Sequence, residues 1–449
     1  MTELLSIILA AGEGTRRKSS IPKVLHPVGG LPVLGHVVRT VLSVGSQIAV
    51  VVGPNHEAVE AIVTAMAPDA SISRQTQRLG TGHAVLQAKA NFDAAQGNIL
   101  VLYADTPLVT AATVSEITTR LDAGADMVVV GFRPVDPAGY GRLLTEGSRV
   151  TAIREHKDAT DDERLIGLCN SGIIGFRGDT LRAVIERIGN ANAKGEFYLT
   201  DAVELASGDG RRIDYIEANA DELIGVDDRA KLAQAEATFQ ELQREAFMKA
   251  GVTLRDPKSV WFSYDTEIGR DVTIHPNVVF GAGVKIADNV EIRAFCDIED
   301  AVIGAGSSIG PFARIRGGVE LASDVHLGNF VEVKKSKIGA GTKAGHLSYL
   351  GDAEIGAKTN IGAGTITCNY DGVNKDKTVI GDNVFIGSNA SLVAPLTIGD
   401  GAYTASGSVI TEDVPADAVA FGRARQETKP GYAPVLREKA RAKKAAKGK

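Results

Sequence analysis

From Ile268 onward an aliphatic or aromatic residue recurs at every sixth position, a period that neither an α-helix nor an ordinary strand produces. Ile268, Ile274, Phe280, Ile286, Ile292 and Ile298 form the first run. The phase slips by one, and Ile303, Ile309, Ile315, Leu321, Leu327 and Val333 follow. After further slips come Ile355 and Ile361, then Ile380, Ile386, Leu392, Ile398 and Ile410. Helices repeat apolar residues at 3.6 and strands at 2. A period of six with Gly and other turn-prone residues between predicts a parallel β-helix. Six residues then make one flat side of a triangular coil, and the aliphatic side chain points to the axis.

The rhythm fails in "GAGTITCNYDGVNKDKTVIGD", which starts at Gly362. Here a polar stretch carrying Asn369, Tyr370, Asp371 and several lysines delays the next rung until Ile380. Upstream, "KAGHLSYLGD" sets His346 and Tyr349 into a regular part of the wall. A triangular coil takes roughly 18 residues, so the spacing expects Asn369 and Tyr370 in the neighbourhood of His346. A β-helix that only holds subunits together requires none of these side chains.

The first half reads differently. "LLSIILAAG", "QIAVVVGP", "NILVLYADTP", "DMVVVGFR" and "CNSGIIGF" are continuously apolar runs bounded by turn residues. Helical patterns such as "VLGHVVRTVLSV" and "HEAVEAIVTAMA" separate several of them. This alternation predicts an α/β, Rossmann-like domain with a mostly parallel sheet, whose ligand sits at the strand C-termini. Leu232, Ala235, Phe239, Leu242 and Ala246 then predict one amphipathic connecting helix. The expected domains are residues 1–227, a linker helix at 228–250, and a β-helix at 251–449 that ends in the basic tail "LREKARAKKAAKGK".

Composition excludes other classes. With 49 basic and 55 acidic residues among 449, the net charge of −6 argues against a nucleic-acid partner. Three scattered cysteines fit neither a disulfide framework nor a zinc cluster. No apolar run is long enough for membrane insertion, and the N-terminus has no basic leader. The expected compartment is a reducing cytoplasm.

"LAAGEGTRRKSSIPKVL" closes the first strand. Gly12 and Gly14 let the backbone approach phosphates, and Arg16 and Lys23 follow as counter-charges. Arg17 stands where a dinucleotide fingerprint needs its third glycine, and no Gly-Lys-Ser/Thr of a P-loop is present. In its full length the motif resembles the sugar-nucleotide pyrophosphorylases, as do "QRLGTGHA", "YADTPL", "GYGR", "EHKDA" and "NSG". The resemblance implies in-line attack by a sugar 1-phosphate on the α-phosphate of UTP. It implies a UTP and sugar site built from Leu9, Ala10, Ala11, Gly12, Lys23, Gln75, Gly80, Thr81, Gly141, Glu155, Asn170 and Asp227, with Arg16 and Lys23 catalytic. Mg²⁺ is the implied cofactor, held by Asp105 and Asp227, the latter where close relatives usually carry Asn.

The whole chain is similar to one bacterial family that joins this uridylyltransferase to a left-handed β-helix acetyltransferase. That resemblance implies His346 as general base for acetyl transfer from acetyl-CoA to glucosamine 1-phosphate, with Glu332 orienting it. Arg316 and Lys334 would grip the sugar phosphate, Tyr349 and Asn360 would line the sugar, Asn369 and Tyr370 would sit by the reacting acetyl group, and Lys375 would reach in from the loop. Ala363, Ser388, Ser406 and Arg423 match acetyl-CoA positions, with Ser406 replacing a usual alanine and "RGG" at Arg316 replacing Arg-Pro-Gly. The implied assembly is a homotrimer. The rival reading is a single-activity pyrophosphorylase with an architectural β-helix.

Overall fold

The structure is a computed structural model that describes residues 3–12, 21–54, 56–147 and 149–447. Two compact units emerge: residues 1–246 with 262–264, and residues 247–261 with 265–449.

In the first unit, seven strands lie in the order Ile213–Glu217, Met127–Phe132, Cys169–Arg177, Asn98–Tyr103, Leu4–Ala10, Gln47–Val52 and Ser71–Arg74. All the pairings along it are parallel except those of Cys169–Arg177, which runs antiparallel to both neighbours. Leu4–Ala10 is buried along its whole length, as a strand covered on both faces must be. The apolar residues divide into one cluster on each face of the sheet.

The helix Arg229–Lys249 differs from its expected pattern. Ala235 and Phe239 pack with Val28, Val33, Leu108, Ile224 and Val226, but Leu242 and Ala246 are exposed. Gln240 and Arg244 are buried instead. The Gln240 amide spans Phe262, accepting from its N–H and donating to its carbonyl, both at 2.8 Å. A polar side chain satisfied in this way tolerates burial, which apolar periodicity alone does not foresee.

The second unit is the parallel β-helix. Three sheets of ten, eight and eight short strands run up its sides. Nearly every six-residue rung points inward and is at most 5% exposed; Ile268, in the first coil, is half-buried. Coils repeat at 17 or 18 residues, as in Thr273 beside Glu291 and Lys343 beside Asn360. Asn360 then pairs with Phe385, 25 residues on, so the interrupting stretch leaves the wall and the ladder closes behind it. The tail forms a helix, Tyr432–Lys447, with no buried residue, where the sequence suggests a solvated end. Cys169, Cys296 and Cys368 are unpaired. Among the described residues no helix is long and apolar enough to cross a membrane.

Candidate functional sites

A cleft of about 440 Å³ opens at the C-terminal ends of the first unit's strands. It is lined by Leu9, Ala10, Ala11, Gly12, Lys23, Gln75, Gly80, Thr81, Asp105 and Asp227, so most of the expected nucleotide site is brought together. Asp105 follows the strand Asn98–Tyr103, and its carbonyl accepts from the Val226 N–H at 2.8 Å, which docks the 225–227 segment beside it. Lys23, in a short turn after Pro22, forms ion pairs with Asp105 and with Asp227, the latter at 2.7 Å. Burial disfavours its ammonium, but the two carboxylates outweigh burial and raise its pKa. Gly14, Arg16 and Arg17 lie outside the described residues.

Gly141, Glu155 and Asn170 form a second group. The Asn170 N–H donates to the Gly141 carbonyl at 2.9 Å, and Glu155 Oε1 stands 3.5 Å from where a Gly141 side chain would begin. The antiparallel strand breaks register between Asn170 and Ile174, and such bulges re-aim side chains beside sites. Gly172, in this bulge, has φ +86°, and the Tyr103 ring fills the place of its missing side chain. Tyr103 lines the cleft and bonds Thr81. Burial first, then the Glu155 and Asp105 charges, push its phenol well up, so it stays neutral. Burial likewise raises Glu155, although Lys194 and Thr200 oppose it.

Arg78, Tyr103, Lys194 and Glu196 also line the cleft and were not among the expected residues. Arg78 donates from Nε to the Ala11 carbonyl at 2.8 Å, bracing the start of the glycine loop. It sits inside "QRLGTGHA", so its position was in view, while Lys194 and Glu196 arrive from a loop with no motif.

On the β-helix, one corner carries a continuous column. Leu347 N bonds Asn329 O, Gly364 N bonds His346 O, Asn389 N bonds Ala363 O and Gly407 N bonds Ser388 O. His346, Ala363 and Ser388 therefore stack in successive coils, and Ser406 and Arg423 continue the column above. Left-handed residues line this corner: Phe295, Phe312, Phe330 and Leu347 below, then Gly364, Asn389 and Gly407 above. The edge thus changes from bulky to small side chains immediately past His346.

A second group sits at the far end of the next side of the coil. Arg316 bonds Glu332 through Nε (2.8 Å) and Nη2 (2.7 Å), and Arg316 lies beside Lys334 in the ladder. Lys375 bonds Lys334, and that contact first, then the Lys375 charge, lowers the Lys334 pKa. Three cations gathered this way suit an anionic ligand. Tyr349 lies between the two corners, and its hydroxyl lies where a Gly351 side chain would otherwise stand. Asn360 pairs with Lys343 of the coil below.

Two expectations are corrected. Glu332 does not meet His346: the ladder sets it beside Tyr349 and its carboxylate takes Arg316, while Asn329 faces His346. Within one chain, Asn369 and Tyr370 do not adjoin His346 either. The Asn369 amide donates to Asp352 at the cation corner, because the loop leaves the coil one side further on than the count of 18 implies. The loop itself is a hairpin: Tyr370 bridges Lys375, and Asp371 Oδ1 accepts from the Val373 and Asn374 N–H groups at 2.7 and 2.6 Å.

A nucleotide cleft in an α/β unit, followed by a β-helix with its own polar constellation, defines a two-site transferase. The MobA-like NTP transferase domain model matches residues 6–167, and the bacterial transferase hexapeptide model matches 265–296, 300–335 and 377–412, which makes the β-helix left-handed. The stretch between the last two matches holds His346 and the loop. Relatives match nearly end to end. The Bifunctional protein GlmU of Brucella anthropi is 55% identical over 444 residues, 99% of this chain and 98% of the relative. Those of Azorhizobium caulinodans and Agrobacterium fabrum are 53% identical over 435 residues (97% and 97%) and 52% over 446 (99% and 98%). The chain belongs to the GlmU family of bifunctional proteins.

Proposed function

We propose that this chain makes UDP-N-acetylglucosamine in two steps, acetyl transfer on the β-helix and uridylyl transfer in the N-terminal cleft. The observation that carries the two-site reading is the His346 corner and the Arg316–Lys334–Lys375 corner at opposite ends of one coil side. Glucosamine 1-phosphate laid along that side sets its phosphate on the cations and its amine at the imidazole, with Tyr349 and Asn360 lining the sugar. The amine nitrogen attacks the thioester carbon, His346 takes the amine proton, the C–N bond forms and the C–S bond breaks. The thiolate leaves and is protonated by the imidazolium. Acetyl-CoA runs along the small-residue edge of Ala363, Ser388 and Ser406 toward Arg423.

Asn369 and Tyr370 sit a side away from His346 in their own chain. Their role at the acetyl group therefore calls for a second copy, which supports a homotrimer with the site between chains. The exposed stack of Phe295, Phe312 and Phe330, with ring centroids 4.9 and 5.2 Å apart, supports that contact. Bulky residues in a left-handed conformation are costly, and such strain clusters where function demands it.

In the cleft, a sugar-phosphate oxygen attacks the α-phosphorus of UTP and pyrophosphate departs. Lys23, with Arg16 in the role its motif implies, neutralises charge on the phosphates. Gln75 donates to Gly80 O (3.1 Å) and to His83 Nδ1 (3.0 Å), which leaves its carbonyl oxygen for the N3–H of uracil. Asp105 and Asp227 already converge on one cation, and paired carboxylates completed by substrate phosphates suit Mg²⁺. Bound there, the ion supplies charge for the transferring phosphoryl group. Gly141, Glu155 and Asn170 hold the acetylated sugar. The enzyme works in the cytoplasm on precursors of the cell envelope.

The test is thiol release from acetyl-CoA on adding glucosamine 1-phosphate. Intact protein releases thiol and His346→Ala does not, while UTP turnover with N-acetylglucosamine 1-phosphate persists in both. UTP turnover without any thiol release from intact protein would make the β-helix architecture only.

A further inference from the structure

We infer that Asn329 is the positioning residue that fixes the His346 imidazole in the tautomer able to act as base, an inference that rests on His346 being that base. His346 Nδ1 lies 2.8 Å from Asn329 Oδ1, and the two residues are register partners in adjacent coils. A neutral imidazole carries its proton on one nitrogen only. If Nδ1–H donates to Asn329, the lone pair is left on Nε2, the nitrogen free to take a proton from substrate. An unheld imidazole divides its time between both tautomers and many orientations, and only a fraction of these is reactive.

Asn329 is itself well held. It ends the strand His326–Asn329, and its carbonyl accepts from Leu347 N at 3.0 Å, which ties the backbone just after His346 to the coil below. The carboxylate able to compete, Glu332, is engaged by Arg316. The charged and titratable groups along the same wall are Lys343 on its own strand, His326 on the strand beneath, and Arg293 further down, where it is paired with Glu291 at 3.2 Å; the phenol of Tyr349 follows past the corner. A neutral amide acceptor orients the ring without adding a negative charge. In surroundings like these, a carboxylate at the same place would favour the imidazolium and block the base until higher pH. Asparagine is therefore the acceptor that suits a base required to be neutral at the start of each cycle.

The experiment compares intact protein with Asn329→Ala, Asn329→Asp and His346→Ala, reading thiol release across pH 6 to 9, with KM for glucosamine 1-phosphate as the control for an intact β-helix site and UTP turnover as the control for the first unit. Asn329→Ala is expected to lower kcat for acetyl transfer by about 10- to 100-fold, less than or equal to the roughly 10²–10⁴-fold that a general base contributes, with KM for glucosamine 1-phosphate little changed. Asn329→Asp can only accept a hydrogen bond. It is expected to restore most of kcat and to move the acid limb of the pH profile upward by about one unit. An unchanged rate in Asn329→Ala, with His346→Ala inactive, overturns the positioning role and leaves the base assignment standing. An Asp variant as slow as Ala with an unmoved limb also overturns it, because the amide would then be donating rather than accepting. Thiol release surviving in His346→Ala overturns the base assignment, and the positioning role with it.

Discussion

In the N-terminal cleft the important side chains converge from distant parts of the chain, whereas on the β-helix they stand one above another on a ladder. Lys23, Asp105 and Asp227 come from three segments and share one ion-pair network. His346, Ala363 and Ser388 are placed by the register of adjacent coils. A convergent site is a compact knot of opposed charges, and removing one member leaves the others unbalanced. A ladder site makes few demands on its neighbours: His346 is exposed and its removal leaves no orphaned charge. Stability and catalysis are therefore coupled in the first unit and separable in the second.

The largest effect that tests this contrast is in Asp105→Ala. Loss of a carboxylate that pairs Lys23 and would hold Mg²⁺ should lower uridylyl transfer by at least about 10²–10³-fold. Pyrophosphate release measures it, and thiol release should be untouched. Equal loss of both activities would break the separation of the two sites.

Lys23→Met sharpens the stability half of the comparison. The ammonium is mostly buried, Asp105 is 19% exposed and Asp227 48%, so two carboxylates are left facing each other in a partly dry cleft. The expected cost is about 2–4 kcal/mol, below the full penalty for a broken buried pair because Asp227 is half open to water. Millimolar Mg²⁺ should return part of it by binding the folded state, read as a rise in Tm larger than in intact protein. The folded-state pKa of Lys23 is raised, so its contribution is fully present below the unfolded value near 10.4 and is lost only as pH rises through the higher folded one. A deficit that closes below pH 10 would contradict the pairing.

The β-helix was legible because its period has no competing explanation: the rungs from Ile274 to Ile410 named by spacing are buried at the axis. The cleft was legible through motifs that follow strand ends, where this fold puts ligands. What escaped is tertiary. Spacing located Asn369 to about a coil but not to a corner, because the count of 18 ignores where the extra residues leave the wall. The resemblance implies Glu332 as the partner of His346 and does not point to Asn329, because the side-chain contact depends on register and on the competing claim of Arg316. The antiparallel strand and its bulge at Asn170 also leave no periodic mark, since a short apolar run reads alike in either direction.

The smallest effect belongs to the loop, the one part of the ladder site that is not held by register. Its turn is closed by Asp371, whose carboxylate takes the N–H groups of Asn374 and Val373, and these bonds hold its pKa below the ordinary value. A depressed carboxylate contributes above its unfolded pKa, near 3.9, and that contribution fades as pH falls through the lower folded value. Asp371→Ala should therefore slow acetyl transfer at every working pH, by about two- to tenfold for a pair of lost backbone bonds, and leave UTP turnover alone. Asp371→Asn keeps an acceptor oxygen and should sit between the two. Amide exchange at Val373 and Asn374 checks the cause. Protection should hold at pH 5 in intact protein, weaken toward pH 3, and be absent in Asp371→Ala. If the Ala variant keeps its protection, the turn is closed by the Tyr370–Lys375 bridge alone, and the loop belongs with the register-held ladder after all.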